Sequence, residues 1–131
     1  MSVRGIRGAT TAASNTSEDI IAATSRLLGD MVAANHVCTD DIVAVFFTTT
    51  PDLNAEFPAA AARALGWRKV PLLCSSEIDV PGRVQSCVRV LMLVNADVTQ
   101  AQITHVYLEG ARRLRPDLSG EEHPETAGTT F

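Results

Sequence analysis

The sequence lacks any apolar run of the roughly 18 residues that a membrane-spanning helix requires. Its first residues also lack the long apolar core of a signal peptide. Surplus positive charge is missing too: once the four acids after Pro116 are set aside, 11 acids stand against 11 bases. A nucleic-acid-binding surface needs excess basic charge, which a neutral body does not supply. We therefore expect a cytoplasmic protein that binds neither membranes nor nucleic acids.

Metal-binding and redox patterns are also missing. Cys38, Cys74 and Cys87 are odd in number and far apart, and the three histidines are scattered. None of them has the short spacing of a zinc site or a redox pair. We expect no metal site, and we predict that Cys38 and Cys87 are small buried apolar residues.

The hydrophobic pattern that is present indicates one mixed α/β (α+β) domain. Strands are predicted at residues 2–10, 42–47, 70–74, 87–94 (or from Val84) and 103–108. A long amphipathic helix is predicted from a Thr16 cap to about Asn35. A short one at 59–65 follows Pro58 and ends at Gly66. The expected fold is a mixed five-stranded sheet with one long and one short helix.

Two helices cannot cover both faces of five strands. Several strands are nevertheless apolar on both faces, so the missing cover is most simply another copy of the chain. A homo-oligomer is therefore expected from the pattern alone. Residues 119–131 are polar, acidic and poor in apolar anchors, which predicts a mobile tail.

Charged residues interrupt the apolar strands. Arg7 and Arg89 lie inside predicted strands, and Glu77 closely follows another. A charge in a sheet core is costly unless it is paired, and guanidinium grips carboxylates through two hydrogen bonds. The pattern favours a dry pocket for a small anion. Three simpler interpretations stay open: Arg89 as a structural arginine paired with Glu, Arg7 as a surface arginine like Arg4, and Glu77 as a solvated loop residue.

The segments that carry these charges resemble a known family. They are Arg4 to Thr11, Thr50 to Ala59 followed by Arg63, Cys74 to Val80, Cys87 to Val90, and His105 to Glu109 with Leu114 to Leu118. Together and in order, over about residues 3–118, they resemble the monofunctional, AroH-class chorismate mutases. The resemblance makes residues 1–118 the chorismate mutase domain.

The resemblance implies a homotrimer whose three sheets form a barrel-like core, a pseudo-α/β barrel, with active sites at the clefts between subunits. It implies a Claisen rearrangement of chorismate to prephenate, in phenylalanine and tyrosine biosynthesis, without metal or cofactor. Catalysis would come from selecting the reactive conformer and from stabilising negative charge on the ether oxygen. The partners implied are chorismate, prephenate and other copies of the chain.

The resemblance also assigns roles to residues. Arg89 matches the cation at the ether oxygen, Arg7 a carboxylate ligand, and Tyr107 a hydroxyl donor to carboxylate. Glu77 and Cys74 match the pair that holds the ring hydroxyl. The remaining matches are the neighbouring subunit's wall (Phe57, Ala59 and Arg63), the apolar lining (Leu72, Leu73 and Leu114), and Arg115, which would attract the dianion. Ala60 departs from the family, where a lysine is common, and leaves Arg63 as the cation of that helix.

Two other function classes stay open. A non-catalytic trimeric α/β protein could bind small carboxylates through the same arginines. A purely structural oligomer would have no use for cations on core strands. Arg89 combined with Glu77 and Tyr107 favours the enzyme, since a binder needs one or two anion contacts rather than this charge arrangement.

Overall fold

A computed structural model describes residues 1–114 of the chain. Its strands are β1 (Ser2–Thr11), β2 (Ile42–Thr49), β3 (Leu72–Ser76), β4 (Cys87–Ala96) and β5 (Val106–Tyr107), and its helices are α1 (Ser17–Asn35) and α2 (Ala59–Ala64). Short 3-10 turns lie at Thr39–Asp41, Gln100–Gln102 and Glu109–Arg113. This order confirms the predicted mixed five-stranded sheet with one long and one short helix.

The strands form one sheet in the order β3-β2-β4-β1-β5. The central strand β4 runs antiparallel to both of its neighbours, β2 and β1. The edge strands β3 and β5 run parallel to β2 and β1, respectively. Because successive side chains of a strand point to opposite faces, the register of these pairs decides which residues meet on each face.

Helix α1 covers one face of the sheet. Thr16 caps it as predicted, with its hydroxyl accepting from the Asp19 N–H at 3.2 Å. The helix buries Ile20, Thr24, Leu27, Leu28 and Met31. Burying each large apolar side chain of this kind contributes about 1.5–3 kcal/mol. The helix packs so closely on β1 that a Cβ on Gly8 would overlap the Met31 sulfur.

Helix α2 begins directly after Pro58 and is capped by Leu65, and Gly66 follows as the predicted stop. Gly66 has φ 85° and donates its N–H to the Arg63 carbonyl at 3.0 Å. Trp67 donates to the Ala62 carbonyl at 3.1 Å and is buried. Glycine suits this left-handed position, because it carries no Cβ. This helix end leaves Ala59 and Arg63 on a short helix of six residues.

The opposite side of the sheet, here called the open face, is only partly covered. Its exposed apolar side chains are Val3, Phe46, Leu73 and Leu91. Phe46 pairs with both Leu91 and Leu73, so three of these side chains form one continuous row across β4, β2 and β3. The expectation that two helices leave one face uncovered is confirmed.

Three predictions need correction. The third strand runs over Leu72–Ser76 rather than 70–74, because Pro71 has no N–H to donate to the ladder. The fifth strand is two residues long rather than six, because the Asn35 side chain bonds both backbone groups of Thr104, at 2.8 Å each, and ends the strand there. Cys38 is exposed rather than buried, since it stands before a surface 3-10 turn between α1 and β2. Cys87 is buried, as predicted.

Two further expectations lie outside the described residues: the mobile acidic tail at 119–131 and the role of Arg115. Within residues 1–114, no helix has the length and apolar character needed to cross a membrane.

Candidate active site

Arg89 lies at the centre of a row of side chains on the open face. The row runs across all five strands: Ser75 on β3, Thr48 on β2, Arg89 on β4, Ala9 on β1 and Tyr107 on β5. Strand pairing therefore brings Tyr107 to the same face as Arg89, two strands away.

The charge of Arg89 is compensated by Glu77. Arg89 Nη1 lies 3.6 Å from Glu77 Oε1, and the two side chains are 11% and 21% exposed. The Glu77 N–H donates to the Thr49 carbonyl at 2.8 Å. This hydrogen bond extends the β2–β3 ladder and fixes the backbone position of Glu77. A distance of 3.6 Å is an ion pair without a hydrogen bond. Glu77 is therefore not a solvated loop residue, and its carboxylate compensates the charge of Arg89.

Arg7 is a diagonal neighbour of Arg89. Ala9 pairs with Arg89 and Arg7 pairs with Leu91, so both arginines point to the open face from adjacent strands. Diagonal partners of this kind are on the order of 7–8 Å apart. That separation suits two cations that contact different oxygens of one small molecule. Arg7 and Arg4 are both half-buried, but only Arg7 shares the face of Arg89.

A small apolar cluster covers one end of this row. It consists of Ala9, Cys87, Tyr107, Ala111 and Leu114, all of them buried, with the last two supplied by the Glu109–Arg113 turn and its end. Burial raises the pKa of the Cys87 thiol, and the neighbouring Arg89 guanidinium opposes that rise. The cover lowers the local dielectric around Arg89, which strengthens any charge interaction made there.

The second group of candidate residues surrounds Cys74, which packs on the helix side of the sheet. Phe57 and Cys74 line a cavity of about 420 Å³ with the Thr49-to-Pro58 connection. Burial raises the pKa of the Cys74 thiol, against a hydrogen bond from the Ala59 backbone and the positive charge of Arg63. Phe57 is 66% exposed and Arg63 is also exposed, so this group forms a surface.

The predicted residues therefore fall into two half-sites. The first half-site is Arg7, Glu77, Arg89, Tyr107 and Leu114; the second is Phe57, Arg63 and Cys74. Ala59, expected as part of the wall, is instead buried in the helix-side core. Glu77 and Cys74, expected as a pair, belong to different half-sites within one chain. Leu72 and Leu73 also separate: Leu72 packs into the helix-side core, whereas Leu73 is 60% exposed on the open face.

Sequence reasoning missed a polar clasp at the edge of the first half-site. Asp52 accepts hydrogen bonds from the Ser86 N–H at 2.8 Å and the Ser86 hydroxyl at 3.0 Å. The Ser86 carbonyl accepts from the Ala12 N–H at 2.8 Å. These bonds hold Ser86 at a φ of 54°, which is unusual for serine. The Thr50-Pro51-Asp52 turn was the available signal, because Asp in turns accepts backbone N–H groups.

The first half-site can bind a small anion in a partly dry environment. It offers two guanidinium groups, one phenol and one carboxylate on a rigid sheet. Within residues 1–114, no three His, Cys, Asp or Glu side chains are placed to hold a metal ion. The expectation that the protein uses neither metal nor cofactor stays a prediction.

The fold and this half-site define a class: a mixed α+β protein with a cationic small-molecule site on a sheet. A family model described as chorismate mutase type I matches residues 3–118. The chain therefore belongs to the chorismate mutase type I family, and it is an enzyme of that class.

Individual relatives agree with this assignment. The chorismate mutase AroH of Bacillus subtilis (strain 168) is 48% identical over 126 residues, which cover 95% of this chain and 99% of the relative. The chorismate mutase AroH of Thermus thermophilus is 48% identical over 121 residues, which cover 92% and 99%. A solved chorismate mutase from Clostridium thermocellum superposes with a TM-score of 0.81 at 50% identity, covering 82% of this chain and 96% of that one.

Proposed function

We propose that this chorismate mutase converts chorismate to prephenate, for phenylalanine and tyrosine biosynthesis, at sites shared between subunits of a homotrimer. The rearrangement is unimolecular: the ether C–O bond breaks while a C–C bond forms within one molecule. It needs no nucleophile and no base. The protein's task is to hold the compact diaxial conformer and to stabilise the charge that develops. The cytoplasmic location stays a prediction.

Arg89 is the residue we assign to the ether oxygen. Negative charge builds on that oxygen in the transition state, so a fixed cation there lowers the barrier more than it strengthens ground-state binding. Its place at the centre of a five-strand row fixes the backbone of Arg89, and the apolar cluster with Leu114 covers one end of that row. The observation that carries this assignment is an arginine side chain that is only 11% exposed on the site face of the sheet.

The ion pair between Arg89 and Glu77 is also what we would expect if Arg89 had only a structural role. The catalytic interpretation needs it equally, because a buried cation without compensation would be costly when the site is empty. We assign Glu77 a second task, which is to face the positive charge that spreads over the ring in the transition state. Kinetics of Arg89 variants decide between the two interpretations.

Arg7 and Tyr107 are assigned to the substrate carboxylates. Chorismate carries two carboxylates, and guanidinium and phenol groups are suitable donors to them. Arg7 projects from β1 beside Arg89, and Tyr107 lies on β5 at the other side of Ala9. The three donors then surround one volume on the open face.

Completion of this volume requires the second half-site of a neighbouring chain. The open face carries the exposed row Leu73, Phe46 and Leu91, which an adjacent copy would cover. Phe57 and Arg63 lie near Cys74, which packs on the helix side of the sheet, and both are exposed. Three copies arranged in a ring, their sheets forming a barrel-like core, would set Phe57, Arg63 and Cys74 of one against the arginines of the next. In such a site Cys74 and Glu77 act together although they lie apart in one chain.

The direct test follows chorismate absorbance and prephenate formation with purified protein. Wild-type protein should consume chorismate and yield prephenate in equal amount. Arg89→Ala should remove most of this activity, whereas Arg68→Ala, at an exposed arginine outside both half-sites, should not. Binding of chorismate without its consumption would support the non-catalytic carboxylate binder instead.

A further inference from the structure

The backbone of Arg7 is held by a side chain where a parallel sheet would use a carbonyl. The Arg7 N–H donates to His105 Nδ1 at 2.9 Å. The neighbouring strand β5 pairs with β1 only at Gly8 with Val106 and Ala9 with Tyr107. Had the parallel ladder continued by one more rung, the Thr104 carbonyl would be the acceptor for Arg7.

Asn35, at the end of α1, binds the Thr104 carbonyl, which is therefore not available as an acceptor for β1. Its side-chain amide donates to that carbonyl at 2.8 Å and to the Met31 carbonyl at 2.9 Å, while its oxygen accepts the Thr104 N–H at 2.8 Å. The strand therefore cannot extend past Val106. The His105 imidazole supplies the missing acceptor, and it can do so only with an unprotonated Nδ1.

We propose that His105 is a positioning residue for Arg7, setting the guanidinium of β1 for substrate binding through the backbone N–H. A buried N–H without its acceptor would shift to find another. Any shift of the Arg7 backbone moves its side chain on the open face, and small misplacements of a binding group are costly to rate. His105 contacts no reacting atom in this role, which rests on the proposed binding of a substrate carboxylate by Arg7.

A pair of amide variants tests the proposal. In His105→Asn the side-chain oxygen can stand near the position of Nδ1, whereas in His105→Gln the amide reaches toward the position of Nε2. His105→Leu removes the acceptor altogether. We expect His105→Leu and His105→Gln to lower kcat/KM about tenfold, mainly by raising KM, since a carboxylate contact is made in both ground and transition states. His105→Asn should stay within about threefold of wild type.

Amide hydrogen exchange gives a readout that does not depend on activity. The Arg7 amide should be protected in the wild type and in His105→Asn, and should exchange faster in His105→Gln and His105→Leu. The amides of α1 should stay protected in every variant. Equal exchange at Arg7 in the Asn and Gln variants would overturn the proposal, even if one of them were too unstable for kinetics.

The Arg7→Ala background separates this inference from the role of Arg7. If His105 acts through Arg7, then His105→Leu should cause little further loss in an Arg7→Ala chain. A full tenfold loss in that background would refute the inference while leaving the role of Arg7 intact. Wild-type kinetics of Arg7→Ala alone would instead refute the role of Arg7, and the exchange experiment would still report whether His105 holds its backbone.

Discussion

Arg89 offers the sharpest test of how a single residue acts here. Arg89→Lys keeps a positive charge but loses the planar fork and shifts the charge. If a placed donor at the ether oxygen matters, kcat should fall by about 10²-fold or more, the scale for losing one transition-state donor. Steady-state kinetics on chorismate would measure this fall. Arg68→Lys, at an exposed site, is the matched control and should be silent.

Citrulline at position 89 separates charge from shape. It keeps most of the side chain's form and some of its donors but carries no charge. We expect a large fall in kcat with a smaller change in substrate affinity, because the charge acts mainly in the transition state. Turnover near that of the wild type would refute the electrostatic mechanism and leave conformer selection as the main contribution to catalysis.

The Asp52 clasp predicts a pH-dependent contribution to stability. Burial raises the pKa of Asp52, but hydrogen bonds from Thr50 and Ser86 outweigh it and hold the pKa below the ordinary value of 3.8. A carboxyl whose pKa is depressed on folding stabilises the protein above its unfolded pKa. That contribution is lost as the pH falls through the folded pKa.

Asp52→Asn should therefore lower the free energy of unfolding near neutral pH, by under about 1.5 kcal/mol since one acceptor oxygen remains. The difference from wild type should shrink below pH 3.8. Urea unfolding of both proteins at about pH 7 and about pH 3 measures it. A difference that grew on acidification would contradict the clasp as described.

At the scale of elements, the sequence predicted correctly the helix ends that depend only on a few neighbouring residues. Thr16 and Gly66 set the helix ends, and both positions were confirmed. The fifth strand was predicted too long, because its end depends on Asn35, 69 residues away, which bonds Thr104. Cys38 was misplaced since its apolar character says nothing about the surface turn that follows it. Tertiary hydrogen bonds decided the first case, and a local turn decided the second.

The contact between α1 and β1 predicts an asymmetric response of two glycines. Gly8→Ala should destabilise the protein by about 1–3 kcal/mol, because its Cβ would overlap the Met31 sulfur and come within 3.2 Å of Leu27. Gly29→Ala, inside α1 with no atom within 4 Å of the new Cβ, should stabilise by about 0.5–1 kcal/mol. Thermal or urea unfolding compares the two. A neutral Gly8→Ala would mean that α1 can move away from the sheet at little cost.

At the scale of the whole molecule, the candidate site could be predicted in its parts but not in its arrangement. The arginines inside apolar strands indicated an anion site from the sequence alone. Their placement required the strand order, which pairs β1 with β4 and leaves Arg7 diagonal to Arg89. The sequence also could not show that Cys74 and Glu77 fall in different half-sites, because that depends on which face each one occupies. The proposal of a shared site rests on this separation.

Mixing two inactive chains tests the shared site directly. An Arg89→Ala chain keeps Arg63, and an Arg63→Ala chain keeps Arg89. If each site combines the first half-site of one subunit with the second half-site of its neighbour, random mixing in a cyclic assembly should restore about a quarter of the sites. Activity should then rise toward that fraction as subunits exchange, which mass-tagged chains would monitor.

As the matched control, Arg89→Ala chains mixed with chains that carry both substitutions contain no intact site and should stay inactive. Complete subunit exchange without regained activity would show that both half-sites act within one chain, and the assembly proposed here would then have to be abandoned.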